Sequence, residues 1–110
     1  MSYKIVWTKS AETELNEIVD YIIENDGVDI ASDIYFKIRE RAELLTANPE
    51  QGRIVPELAN MTVKFREIIF KSWRFIYKVE KSTIKILLII DERRNIEDIL
   101  YEKLIKFFGA

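Results

Sequence analysis

Residues 64–94, KFREIIFKSWRFIYKVEKSTIKILLIIDERR, restrict the folds open to this chain more than any other stretch. Three apolar runs lie within it, KFREIIF, WRFIYKV and IKILLII, parted by Lys71-Ser72 and by Glu80-Lys81-Ser82-Thr83. Val, Ile, Phe, Tyr and Trp fill these runs, and such side chains suit a pleated, half-buried surface. Short polar breaks between the runs predict a meander of antiparallel strands. Ile86–Ile90 is continuously apolar, which fits a central strand buried on both faces. Arg66, Arg74, Arg93 and Arg94 stand in or beside these strands. A charge there is buried only at a large penalty unless it is paired. Arginines sharing one face would make an anion-binding surface on a rigid scaffold.

Strand register decides whether they share it. A two-residue turn at Lys71-Ser72 pairs Ile69 with Arg74 and Arg66 with Tyr77, placing the two arginines on opposite faces. One extra residue in the turn sets Arg66 beside Lys78, on the face of Arg74, and assembles a basic patch. Both registers satisfy the sequence. In a bland alternative, Arg74 pairs with Glu67 across the hairpin and Tyr77 is core with its hydroxyl at the rim.

The rest of the chain supplies helices. Tyr3–Trp7 reads as an opening strand with Tyr3, Ile5 and Trp7 on one face. Thr8 or Ser10 can cap the helix that follows. Ala11, Leu15, Ile18 and Ile22 recur at helical spacing, opposite Glu12, Glu14, Glu17, Asp20 and Glu24. Asn25-Asp26-Gly27 ends this helix. A second runs from about Asp29 to Thr46 on Ala31, Ile34, Ile38, Ala42 and Leu45, and the two form an antiparallel hairpin. Residues 48–53 form a loop because Pro49 and Gly52 break regular structure. Residues 54–62 have no clear period and predict a connection with one helical turn. Asn95, with Asp98 three residues on, caps a last helix striped by Ile96, Ile99, Leu100, Leu104 and Phe108. The expected fold is α+β: an N-terminal strand, a helical hairpin packed on a small antiparallel sheet, and a C-terminal helix, with residues 1–110 as one domain.

Composition excludes several chemistries. The chain has no cysteine, hence no disulfide or thiolate nucleophile, and no histidine, the commonest general base and metal ligand. Its apolar runs fall far short of the roughly 20 residues of a membrane helix. The start, MSYKIVWTKS, lacks signal-peptide features. A soluble cytoplasmic domain is the expectation. Net charge is −2, but residues 1–60 hold 12 acidic and 6 basic side chains, whereas residues 61–110 hold 7 and 11. An acidic half precedes a basic half. The carboxylates of Asp91-Glu92 and Glu97-Asp98 sit beside Arg93 and Arg94, so a solvated or capping role outweighs metal binding.

Taken in order, the pieces resemble the RelE/ParE superfamily, the toxins of type II toxin–antitoxin, or plasmid stabilisation, systems. They are Leu15-x-x-Ile18-x-x-Tyr21-Ile22, Ala31, Asn48-Pro49-x-x-Gly52-Arg53, Phe65-Arg66-Glu67-Ile68-Ile69, Trp73-Arg74-Phe75-Ile76-Tyr77 and Arg93-Arg94. The resemblance implies a cytoplasmic, growth-inhibiting toxin without a cofactor, neutralised by a cognate antitoxin, and it allows a homodimer. The long hairpin and the Pro-x-x-Gly-Arg loop look ParE-like, which implies action on a cellular target such as DNA gyrase. Two alternatives stay open: a RelE-like, ribosome-dependent, metal-independent mRNA endoribonuclease, and a non-toxic homologue that only binds an antitoxin.

The nuclease alternative implies specific residues. Its chemistry uses the neighbouring 2′-hydroxyl of RNA as nucleophile, and an arginine fork suits the negative phosphorus centre. Arg74 matches the arginine of the family's aromatic-Arg-x-x-Tyr strand and Arg94 the arginine after the last strand. Tyr101 would be the terminal tyrosine, one residue further from Arg94 than the pattern asks. Arg53, Lys64, Arg66, Lys78 and Arg93 would contact the target or RNA. Relatives often carry histidine near the position of Asp91, which this chain lacks, and its pI of about 5.3 is low for such toxins.

Overall fold

The structure, a computed structural model, describes residues 3–105. Strand β1 (Lys4–Trp7) leads directly into helix α1 (Lys9–Asp26), because Thr8 accepts the N–H of Ala11 on its hydroxyl at 3.1 Å. Ala11, Leu15 and Ile22 are buried along α1. Gly27, at φ 96°, ends the helix and donates its N–H to the carbonyls of Ile22 and Ile23. A positive φ of this kind costs glycine nothing and a side-chain-bearing residue a great deal. Helix α2 (Val28–Glu43) starts at once, buries Ala31, Ile38 and Ala42, and continues as a 3₁₀ turn at Leu44–Thr46.

Five strands form one sheet in the order β1-β5-β4-β3-β2, with β2 at Arg53–Ile54, β3 at Arg66–Phe70, β4 at Trp73–Glu80 and β5 at Thr83–Asp91. The meander β3-β4-β5 is antiparallel as its apolar runs predict. Two pairings go beyond it. β1 lies parallel to β5, making the sheet mixed, and the loop ends in the two-residue strand β2 against β3. Residues 54–62 contain the expected helical turn, a 3₁₀ turn at Pro56–Leu58.

The hairpin register is that of the two-residue turn: Ile69 pairs with Arg74 and Arg66 with Tyr77. Lys71 sits at φ 55° to make this turn and Lys81 at φ 53° to make the next. Arg66 and Arg74 therefore lie on opposite faces, and the basic patch of the longer turn does not form. Further along, Ile76 faces Leu88 but Tyr77 faces Ile86, so Leu87 is an extra residue on β5. That bulge switches the parity of the strand. Ile84, Ile86 and Ile89 join the core under α1 and α2, together with Ile68, Phe75 and Tyr77. Leu88 and Ile90 join a second core on the far face, with Val55, Leu58, Phe65 and Ile76.

The far face is closed by α3 (Ile96–Leu100), continued by a π-helical turn at Tyr101–Ile105, through the buried Leu100 and Leu104. Asn95 caps α3 by accepting the N–H of Asp98 at 3.2 Å. Phe108, the expected end of the stripe, lies outside the described residues. Where β1 stops at Trp7, side chains of the Thr8–α1 segment take over its ladder. The Thr8 hydroxyl donates to the Leu87 carbonyl at 3.0 Å, and Glu14 accepts the Ile89 N–H at 2.8 Å.

Candidate functional site

On the far face, four side chains form an alternating chain of charges. Arg74, only 5% exposed, donates Nε to Glu67 Oε1 at 2.6 Å and both terminal nitrogens to Glu57, at 3.0 and 2.7 Å. Glu67 is buried and spends its other oxygen on Arg53 Nε at 2.6 Å. Register explains the geometry: Glu67 faces Ile76 and Arg74 faces Ile69, so the two are diagonal neighbours on one face. The hydrogen bonds from Arg74 hold the Glu57 carboxyl below its usual range. Glu57 in turn leads the interactions that push the Arg74 guanidinium above its ordinary value. A buried charge is tolerated when paired and hydrogen-bonded in this way.

The opposite face carries a clasp. The buried Tyr77 hydroxyl donates to the Pro49 carbonyl at 2.7 Å and accepts the Gly52 N–H at 3.0 Å. Burial leads the shift that raises its pKa. Arg66 donates to the carbonyls of Glu50 and Gly52, at 3.1 and 2.9 Å. A methyl group on Gly52 would meet the Glu67 carbonyl oxygen and the Tyr77 hydroxyl, each at 2.6 Å. The Pro49-x-x-Gly52-Arg53 motif is thus a loop tied to the sheet by Tyr77 and Arg66.

A third feature is a groove of about 660 Å³ between α1, the end of β5 and α3. Its apolar surface comes from Ile18, Tyr21, Trp73, Ile89 and Ile99. Arg93 and Arg94 border it. Arg93 is folded back onto Asp91 at 2.9 and 2.6 Å, which lowers the Asp91 pKa. Glu14, whose pKa is raised chiefly by burial, lines the same groove.

The residues singled out from sequence are therefore dispersed. Arg74 and Arg53 share the charge chain, Arg66 belongs to the clasp, and Arg93 and Arg94 border the groove. Lys64 is exposed, Tyr101 is 54% exposed, and Lys78 contacts Glu80 at 3.3 Å. Arg74 is committed to the charge chain, whereas Arg94 follows β5 and lines the groove. Glu57 and Glu14 escaped the sequence reading: Glu57 sits in the aperiodic segment, and Glu14 looks like any solvent-facing carboxylate of an amphipathic helix. Among the described residues no carboxylates cluster as a metal ion would need.

A helical hairpin on a mixed five-stranded sheet, with a clasped Pro-x-x-Gly-Arg loop, defines a small α+β domain. The chain belongs to the ParE toxin family of the type II toxin–antitoxin system parDE, whose family model matches residues 5–96. It is 26% identical to Toxin ParE3 of Caulobacter vibrioides over 93 residues, covering 84% of this chain and 90% of that protein. A solved structure, "Chromosomal ParDE TA system from P. aeruginosa", superposes with a TM-score of 0.66 at 22% identity, covering 81% of this chain and 95% of that one. A 55-residue stretch is 38% identical to integration host factor subunit alpha of Rhodospirillum rubrum, covering 50% of this chain and 52% of that protein.

Proposed function

We propose that this ParE-family toxin arrests growth in the cytoplasm by binding a protein target, DNA gyrase, and that a cognate antitoxin neutralises it by folding onto its surface. The observation carrying this reading is the state of Arg74. Its fork, the group an RNA phosphate would need, already holds Glu57 and Glu67. Arg53 and Arg74 do converge on one anion, and that anion is the Glu67 carboxylate rather than an open phosphate site. A binding mode also suits the net charge of −2, because nucleic-acid affinity draws on many cationic contacts. The same charge argues against reading the half-length likeness to integration host factor as DNA binding.

The test is induced expression in a bacterial host while labelled thymidine and labelled methionine are followed in parallel. Early loss of DNA synthesis, with protein synthesis continuing, is the expected result. Co-expression of an adjacent small open reading frame should restore growth. Immediate loss of protein synthesis that is abolished by Arg74→Ala would overturn the reading in favour of a ribosomal nuclease.

A further inference from the structure

We infer that the groove beside α1 receives a basic, apolar-studded segment of a protein partner, lying along α1 towards the hairpin tip. The first support is the distribution of charge. From Ser10 to Phe36 the sequence holds eight Asp and Glu and no Lys or Arg. Oppositely charged surfaces steer association and fix register. The second support is shape. The groove and a shallower concavity share Glu17 and Tyr21, so the two make one track along α1. The shallower part adds Asp20, Ile23 and Glu24, and among the described residues no cation lines it. Around the groove proper, five carboxylates (Glu14, Glu17, Asp91, Asp98 and Glu102) stand against three cations, of which Arg93 is closed on Asp91. The third support is exposed apolar surface along this track: Tyr21 is 62% exposed and Ile23 39%. Aromatic and aliphatic anchors with a charged border are how an amphipathic segment is held.

This inference rests on the reading that a partner folds onto the toxin, and it specifies the chemistry of the part that seats here. Its occupant carries lysine or arginine on one side and leucine- or isoleucine-like residues on the other. A polyanion is excluded from the purely acidic stretch by like charge.

The experiment uses the full chain and two labelled synthetic peptides of equal length. They have identical leucine spacing at i, i+3, i+4 and i+7, with lysine in one and glutamate in the other at the polar positions. Fluorescence anisotropy should show the lysine peptide binding, with affinity falling at least tenfold between 50 and 500 mM salt, as exposed ion pairs are screened. Glu17→Lys with Asp20→Lys should weaken it at least tenfold, and Tyr21→Ala severalfold. All three positions are exposed, and circular dichroism checks that the variants fold. Equal or tighter binding of the glutamate peptide, no binding of either, or indifference to these variants would each overturn the inference. Failure here is separable from failure of the toxin reading. Growth arrest and rescue by an adjacent gene product can persist in a Glu17→Lys/Asp20→Lys/Tyr21→Ala chain. That outcome would refute the groove while leaving the toxin–antitoxin reading in place.

Discussion

Replacing Gly52 by alanine tests the clasp at its tightest point. The new methyl would lie 2.6 Å from the Glu67 carbonyl oxygen, 2.6 Å from the Tyr77 hydroxyl and 2.8 Å from a carbon of the Tyr77 ring. The carbonyl is fixed in β3, so Tyr77 or the loop must move. Overpacking of this kind costs about 1–3 kcal/mol. A displaced hydroxyl also loses the Gly52 N–H and the Pro49 carbonyl, at a net ~1 kcal/mol each. The expected destabilisation is therefore about 3–5 kcal/mol. For a domain of this size that is a fall of roughly 13–20 °C in Tm. Urea unfolding followed by the emission of Trp7 and Trp73 would measure it. The control is the double variant with Tyr77→Phe, which removes one of the two oxygens in the way. Its cost should fall short of the sum of the single costs by about 2 kcal/mol, because both single variants lose the same two hydrogen bonds. A Gly52→Ala chain within about 0.5 kcal/mol of the parent, or strict additivity in the double variant, would refute the clasp.

Glu14 offers a contrast between two substitutions. Burial raises its pKa, so its folded carboxyl holds a proton more tightly than the unfolded one, and stability declines as pH rises from the unfolded value through the folded one. Glu14→Gln should therefore match or exceed the parent in stability at pH 7 while still accepting the Ile89 N–H. Glu14→Ala, which strands that N–H, should lose about 1–2 kcal/mol in urea titrations. The Glu57 carboxyl behaves in the opposite sense. Its depressed pKa gives a contribution that is full above the unfolded carboxylate value and lost as pH falls through the folded one. Glu57→Gln should flatten the loss of Tm between about pH 5 and pH 3, as read by calorimetry across that range. At the turn after β4, Lys81→Asn should raise stability by several tenths of a kcal/mol in the same urea assay. Asparagine tolerates the left-handed φ of 53° better than lysine.

Much of the fold can be read from hydrophobic period alone. The stripes of α1 and α2, the caps at Thr8 and Asn95, and the meander of three strands each follow from local spacing. What is not local is not legible. The run from Ile84 to Ile90 is apolar throughout, so nothing in it marks Leu87 as the residue where facing reverses. The parallel partnership of β1 with β5 joins segments almost eighty residues apart. Pro49 and Gly52 announce a loop, yet the need for glycine comes from Tyr77, twenty-five residues on. Arg74 attracts notice as a strand arginine, and Glu67 is the partner its position suggests. Glu57 could not be found in the same way, because a 3₁₀ turn in an aperiodic stretch presents it.

The handover from β1 to the side chains of Thr8 and Glu14 also has a bearing on when the chain can close. These bonds span 79 and 75 residues, and the β1–β5 pairing they extend spans a similar distance. Closing so long a loop carries a large entropic cost before any contact repays it, and such contacts form late. During synthesis the first strand and helix leave the ribosome long before the strand that completes them. The hairpin of α1 and α2 can coil early, but its apolar stripe has no sheet to cover until Thr83–Asp91 has emerged. Assembly of the hairpin core is therefore tied to the last third of translation, and a chain that stalls before that point holds α1 without the strand it is built to cap.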